Sequence, residues 1–137
     1  MRQIEFRAQN VNGVWVCGNF SILKKKIGNV DAGSYISNSA GEPFAYKIRP
    51  ETVSQFTGLK DKNGKKIFEG DIVEIIEIDA FGNLDWNRLK GKVMFSEGAW
   101  LVTDNRSFAI PLWSEINEIK VIGNIHENPE LLEVATC

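Results

Sequence analysis

The chain has 137 residues, of which 43% are hydrophobic and 25% are charged. This length and composition predict one globular domain, or one domain with a small appendage, and exclude a largely disordered chain. The formal net charge is −2. Because proteins that wrap duplex nucleic acid usually carry a clear basic excess, this balance argues against that function, although it permits a local basic patch.

Cysteine and histidine are scarce. The chain contains Cys17, Cys137 and a single histidine, His126, and this spacing fits neither a metal site nor a disulfide framework. The first residues lead into polar sequence without an apolar signal segment, and no stretch approaches the roughly 18 apolar residues of a membrane helix. We therefore expect a cytoplasmic protein that holds no metal or other cofactor and has no membrane partner.

The N-terminal region carries one predicted hairpin followed by a long loop. Apolar and polar residues alternate in Ile4-Glu5-Phe6-Arg7-Ala8. Asn12-Gly13 separates this stretch from Val14-Trp15-Val16-Cys17, which predicts a hairpin with a tight two-residue turn. Residues 21–42 contain three consecutive lysines and many Gly and Ser residues. They predict a loop with at most one short strand, near residues 34–36.

Turn signals organise the middle of the chain. Pro50 lacks an N–H and suits the edge or the start of a strand, and Asn63-Gly64 predicts a second hairpin. Glu69-Gly70-Asp71 marks a further turn. Residues 72–78 fit either a helical stripe or a strand, but β-branched residues dominate them and favour a strand. Residues 79–87 predict a loop.

Short strands follow at regular intervals towards the C-terminus. They are predicted at residues 92–95, 99–103, 108–110 and 119–125. This spacing is typical of a barrel or a sandwich. Asn128-Pro129-Glu130 predicts the start of a short helix, because Asn caps helices, Pro suits the first helical position and Glu favours the positive end of the helix dipole.

These elements predict a mainly β fold. We expect a small SH3-like or partly open β-barrel in the C-terminal half, with an N-terminal β-hairpin region and a short C-terminal helix. Residues 1–56 would form the N-terminal hairpin and loop region packed on the barrel. Residues 57–137 would form the barrel-like region with the terminal helix, and both would belong to one folding unit.

Three carboxylates near turns form the first candidate site. Asp61, Glu69 and Asp71 could hold a metal or act in general acid–base catalysis. Turn chemistry explains the same residues, since Asp61 begins a turn and Asp71 can accept hydrogen bonds from nearby amides. We favour the second explanation. No catalytic residue is predicted, and the neighbouring lysines lack the glycine-rich entry to a helix that a phosphate site needs.

A Cys17–His126 pair with an acidic partner would make a nucleophilic site. Nothing in the sequence brings the two side chains together. A buried cysteine on the strand that begins at Val14 and a partly exposed histidine before a helix cap explain both residues. No nucleophile elbow or dinucleotide-binding fingerprint is present either. These observations disfavour an enzymatic function but do not exclude one.

Aromatic residues beside cations form a candidate interaction surface. Its members are Trp86, Arg88, Lys90 and Trp113. Exposed aromatic side chains of this kind can stack on single-stranded bases or anchor a protein interface. The alternative for Trp86 is that it folds back to cover one end of the barrel. Trp15 and Trp100 lie in alternating strands and are expected in the core.

Longer motifs resemble a known family. Residues 55–73 (QFTGLKDKNGKKIFEGDIV) and residues 121–132 (VIGNIHENPELL) resemble the YopX family of phage and prophage proteins, and residues 4–8 fit the family's opening. Two departures are visible. His126 stands where the family often has an aromatic residue, and residues 79–90 match no family pattern.

The resemblance implies a mostly β protein of a phage or prophage that acts in the bacterial cytoplasm and can form a homo-oligomer. It implies no activity. Our leading hypothesis is a non-enzymatic binding or accessory module that self-associates or binds a protein. The alternatives are a single-stranded nucleic-acid binder that uses residues 84–92 and a metal-dependent enzyme that uses the turn carboxylates.

Overall fold

The computed structural model describes residues 4–37, 44–78, 84–106, 108–112, 117–128 and 130. The fold is mainly β, as predicted, and it divides into two compact units, Met1–Phe56 and Thr57–Cys137. The strands are β1 (Phe6–Gln9), β2 (Trp15–Leu23), β3 (Gly33–Ser37), β4 (Tyr46–Lys47), β5 (Ser54–Lys60), β6 (Lys66–Phe68), β7 (Asp71–Ile78), β8 (Leu84–Ser96), β9 (Ala99–Thr103), β10 (Ala109–Pro111) and β11 (Asn117–Asn124).

In the first unit the strands lie in the order β4-β3-β2-β1-β5, and all the pairs with a defined register are antiparallel. The alternation in β1 and β2 places apolar side chains on one face of the sheet. Ala8, Ile36 and Ile48 form the buried core of this unit. The partly buried side chains packed against them are Phe6, Val16, Phe20 and Val53.

The first hairpin has a longer loop than predicted. The Asn10 N–H donates to the Val14 carbonyl at 2.8 Å and the Gly13 N–H donates to the Asn10 carbonyl at 2.9 Å, so three residues, not two, separate the paired positions. Gly13 has φ of +81°. A three-residue loop needs a residue with positive φ at its end, and glycine accepts that conformation without steric cost.

Within the predicted 21–42 loop, β3 confirms the short strand expected near residues 34–36, but it pairs with β2 to form a second hairpin that was not predicted. Residues 38–42 lie outside the described residues. β2 continues to Leu23 and pairs with β3 from Asn19↔Ser37 to Leu23↔Gly33. The alternation of apolar and polar residues in β2 continues as far as Leu23. The glycines and lysines of this region are typical of a loop, so the sequence did not indicate the longer strand. Pro50 also differs from its prediction, because it begins a short 3-10 turn, Pro50–Thr52, and does not begin a strand.

β5 begins in the first unit and continues into the second, because the boundary between the units lies after Phe56. It pairs with β6, and Asn63-Gly64 lies in the loop between these two strands, as predicted. A five-stranded antiparallel sheet follows in the order β10-β9-β8-β7-β11. Across the described residues no pairing joins β10 to β11, so this sheet is not closed. The buried core consists of Ile67, Val73, Ile75, Val93, Val102, Leu112 and Val121.

β7 and β8 account for one confirmed prediction and one error. Residues 72–78 form a strand, as their β-branched residues indicated. Leu84, however, already begins β8, so the predicted 79–87 loop is wrong from residue 84 onward. The β7–β8 ladder explains the strand, because a polar segment gains backbone hydrogen bonds when it pairs with a buried neighbour. Residues 79–83 lie outside the described part.

The predicted C-terminal helix falls mostly on residues 131–137, which lie outside the described residues. Around its predicted start, the Asn124 side chain accepts hydrogen bonds from the N–H groups of His126 at 3.0 Å and Glu127 at 2.9 Å. These bonds make a local turn after β11. No helix in the described part of the chain has the length and apolar character needed to cross a membrane.

Gly91 is expected to be essential for the packing of β8 on β9. A Cβ at this position would lie 2.8 Å from the Val102 Cγ1 and 2.9 Å from the Thr103 carbonyl oxygen. Because a backbone carbonyl in a ladder cannot move aside, Gly91→Ala should lower the free energy of unfolding by about 1–3 kcal/mol. Urea unfolding measures this change. Ser96→Ala, at the end of the same strand, serves as control, and an equal effect of both substitutions would contradict the packing argument.

Candidate interaction surface

The predicted surface around Trp86 is only partly described. Trp86 and Arg88 lie in β8, but their side chains and the whole of Trp113 fall outside the described part. Lys90 is exposed. It lies opposite Glu74 in the β7–β8 ladder, and Lys120 lies opposite Glu74 in the β7–β11 ladder. Opposite charges in such positions stabilise a sheet, so Lys90 has a structural explanation.

The two tryptophans expected in the core are half-buried. Trp100 packs against the core of the second unit. Trp15 lies in β2 of the first unit with the Arg7 guanidinium 4.9 Å from its ring centroid. A cation over an indole face gains electrostatic attraction, so Arg7 covers part of this ring.

The Asp61 carboxylate accepts hydrogen bonds from three backbone N–H groups. Its Oδ1 accepts the N–H groups of Asn63 and Lys65, each at 2.9 Å, and its Oδ2 accepts the N–H of Val121 at 3.0 Å. The side chain is 8% exposed. The neighbouring Lys62 N–H donates to the Ile119 carbonyl at 2.9 Å. The β5–β6 loop is thus bonded to β11, the edge strand of the five-stranded sheet.

These contacts control the ionisation of Asp61. Burial by itself raises the pKa of this carboxyl, because it penalises the charged form. The hydrogen bonds from Val121, Lys65 and Asn63, together with the Lys65 charge, outweigh burial and lower the pKa below its ordinary value of 3.8. Asp61 is therefore held in the ionised form, as a capping acceptor for backbone amides.

Asp71 serves the next turn in a similar way. Its Oδ2 accepts the Phe68 N–H at 2.8 Å, and its side chain is 1% exposed. Gly70, with φ of +84°, donates its N–H to the Val93 carbonyl and accepts the Ile125 N–H, both at 2.9 Å. The structure does not gather Asp61, Glu69 and Asp71 into a metal site. Within the described residues, no group of three or more His, Cys, Asp or Glu side chains is placed to hold a metal.

The other candidate pair, Cys17 and His126, is distributed over the two units. Cys17 is half-buried in β2 and lies opposite Arg7 in the β1–β2 ladder. His126 is exposed in the turn after β11, where its N–H is bonded to the Asn124 side chain. Neither residue is assigned a chemical role by these contacts.

A surface that the sequence predictions missed lies at the end of the β2–β3 hairpin. We call residues 22–32 the basic tip. Ile22 is 63% exposed and Ile27 is 61% exposed, and Lys24, Lys25 and Lys26 between them are all exposed. The tip carries three lysines and one aspartate, a net charge of +2. The continued alternation Phe20, Ile22 could have indicated that β2 extends this far.

The basic tip is ordered by its own hydrogen bonds. Ile27 and Val30 exchange backbone bonds of 3.0 and 2.9 Å around Gly28, whose φ is +57°. Positive φ at the first central residue is typical of a type II′ turn, which suits hairpins. The Tyr35 hydroxyl donates to the Asp31 carbonyl at 2.7 Å. The lysines and isoleucines are therefore presented on a defined hairpin.

Asp61→Ala should lower the free energy of unfolding far more than Asn10→Ala, the matching substitution in the first hairpin. The substitution leaves three amides without their acceptor, and we expect a loss of about 3 kcal/mol in the free energy of unfolding. Asn10 is the matched control, because its Oδ1 accepts the N–H groups of Asn12 and Val14 in an exposed loop. Asn10→Ala should cost only about 1 kcal/mol, since water can replace those bonds. Equal losses in urea unfolding would contradict the edge-strand role of Asp61.

The acid stability of the protein should depend on Asp61. Its folded pKa lies below its ordinary value, so its stabilising contribution is complete above about pH 4–5 and is lost as pH falls through the folded pKa. Asp61→Asn removes this contribution, and the difference in unfolding free energy between the natural protein and the variant should shrink below pH 4. Unfolding curves between pH 2.5 and pH 7 measure it. If the difference in unfolding free energy between the two proteins stays constant over this pH range, Asp61 does not have a lowered pKa in the folded protein.

Comparisons with known proteins agree with the predicted family. The family model described as YopX protein matches residues 5–133. The crystal structure of protein EF1440 from Enterococcus faecalis is similar to this chain, with 26% sequence identity and a TM-score of 0.56, and the match covers 97% of this chain and 100% of that chain. A search of curated proteins finds no match. Because the family model spans nearly the whole sequence, the chain belongs to the YopX family.

Proposed function

We propose that the protein is a non-enzymatic binding module that contacts another protein, or a second copy of itself, through the basic tip. The observation that carries this proposal is the exposure of Ile22 and Ile27, at 63% and 61%, on either side of three exposed lysines. Large apolar side chains in water lose the free energy that burial would provide. A partner that covers them recovers that free energy.

The position of Ile22 supports this proposal. In β2 it follows Phe20 on the face that carries the core of the first unit, and its partner across the ladder is Ser34. The apolar face of the sheet therefore continues beyond the core to an exposed end. Tyr46, opposite Ile36 on the same face, is 38% exposed. Protein interfaces combine an apolar centre with a polar, solvent-accessible rim, and at the basic tip the exposed isoleucines and the lysines could supply these two parts.

The rigidity of the tip also supports binding. The Ile27–Val30 turn and the Tyr35–Asp31 bond fix the hairpin before a partner arrives. The Tyr35 ring further packs edge-on against Phe44, with ring centroids 5.3 Å apart. A surface that is already ordered loses little conformational entropy on binding, which favours affinity.

The tip suits a protein better than a single-stranded nucleic acid. Residues 22–32 contain no aromatic residue and no arginine, and these are the side chains on which bases stack. The region first considered for that role, residues 84–92, forms part of β8 and is a strand. The enzymatic alternative is weaker still, because the Asp61 and Asp71 carboxylates already accept backbone hydrogen bonds.

The finer architecture and the biological setting belong to the same proposal. We assign the second unit to the small, partly open barrels of SH3-like type. The loop at Asp61 and Lys62 supports this, since it covers the β11 edge of the five-stranded sheet. We further propose that the protein is encoded by a phage or prophage and acts in the cytoplasm of the bacterial host.

Ile22→Ser together with Ile27→Ser should abolish the interaction without unfolding the protein. Both positions are exposed, so the melting temperature should stay within about 2 °C of the natural value. Val11→Ser with Val14→Ser is the control, because these residues are 59% and 58% exposed in a loop without lysines. Pull-down from host lysate and sedimentation measure binding to other proteins and to itself. The proposal fails if the tip variant retains every interaction, or if the control loses them equally.

A further inference from the structure

The two units carry opposite charge. Met1–Phe56 contains seven Lys and Arg against four Asp and Glu, a net charge of +3. Thr57–Cys137 contains nine Lys and Arg against fourteen Asp and Glu, a net charge of −5. The overall charge of −2 conceals this asymmetry. Two copies therefore attract each other when the first unit of one approaches the second unit of the other.

An unusual backbone conformation occurs in the second unit at the turn between β8 and β9. Glu97 has φ of +51° and Gly98 has φ of +83°. Positive φ at both central residues of a two-residue hairpin defines a type I′ turn, which prefers Asn, Asp or Gly at the first position. A glutamate there is strained. Folding alone does not favour this residue, whereas a long acidic side chain on an exposed turn suits recognition.

Aromatic side chains flank this glutamate. Phe95 is 52% exposed, and its ring lies edge-on to Trp100 with centroids 5.0 Å apart. Glu97 itself is exposed. We call residues 95–100 the acidic turn. It combines an apolar surface with a carboxylate, just as the basic tip combines an apolar surface with lysines.

We propose that the basic tip of one copy docks on the acidic turn of a second copy. The inference rests on the proposed function and names the partner of the same surface. Ile22 and Ile27 would cover the exposed face of Phe95, and the lysines would surround Glu97. The complementary charges direct the encounter, while the apolar side chains provide the affinity.

The proposed contact is head-to-tail: the tip of one copy meets the turn of the next copy, without a reciprocal contact between the same two copies. A contact of this kind leaves one free tip and one free turn on every pair, and further copies add until a ring closes or a chain grows. Association should therefore continue beyond the dimer as concentration rises. It should also weaken as salt increases, because the charges lie at exposed positions.

A mixing experiment tests this geometry. The first variant, Ile22→Ser with Ile27→Ser, lacks the tip, and the second, Phe95→Ser with Glu97→Gly, lacks the turn. Each alone should be monomeric in sedimentation equilibrium, with self-association weakened at least tenfold. A 1:1 mixture should form a dimer and nothing larger, because only one intact tip and one intact turn can meet. Val11→Ser with Val14→Ser should assemble like the natural protein.

The single substitution Glu97→Gly separates folding from binding. It should raise the melting temperature by about 4 °C, because glycine relieves the strained conformation. The same substitution should weaken self-association at least fivefold. A purely structural role for Glu97 predicts lower stability, or unchanged association, and either result would overturn the inference.

The outcomes also distinguish this inference from the proposed function. A natural protein that stays monomeric at high concentration, yet captures another protein through an intact tip, overturns the inference and leaves the proposed function standing. Assembly of the natural protein without assembly of the mixed variants overturns the inference as well. Binding of a single-stranded oligonucleotide that the tip variant loses would overturn both, in favour of nucleic acid.

Discussion

The hydrogen bonds that the Asp61 carboxylate accepts from its own loop and from β11 organise the second unit. The carboxylate bonds two amides of its own loop and one amide of β11, and Lys62 adds a bond to the same strand. An edge strand leaves amide and carbonyl groups open to another chain, which is a route to aggregation. Here the β5–β6 loop covers two such groups on β11. One carboxylate thus folds a hairpin and protects the edge of a sheet.

Asn10 shows why the charge matters at Asp61. Both residues begin a loop that ends in Asn-Gly, and in both the Oδ1 accepts the amides two and four residues later. Asparagine suffices for this local pattern. The Val121 amide requires a second acceptor on the other side-chain atom, and only a carboxylate provides one. The local turn was therefore predictable from the sequence, whereas the bond across 60 residues was not.

The same division between local and long-range information explains the other predictions. The strand at residues 72–78 and the strand Ala99–Thr103 followed from β-branched residues and turn signals. The first half of β8 did not, because Leu84–Lys90 is a largely polar segment that becomes a strand through its ladder. The end of β2 did not either, because the three lysines that follow Leu23 are typical of a loop. Of the surface predicted around Trp86, only Lys90 has a described side chain. The sequence also did not predict the basic tip, because residues 22–32 lie within the predicted 21–42 loop.

The glutamate in the acidic turn shows how a local conflict can point to function. Where propensity and backbone conformation disagree, as at Glu97 with φ of +51°, the residue is retained at a cost to folding. The alternating pattern of the flanking strands β8 and β9 does not require this residue, since glycine would serve the turn better. In the proposed assembly, contact with the lysines of the basic tip would offset that cost. A chain with one basic unit and one acidic unit can assemble through one head-to-tail contact repeated many times.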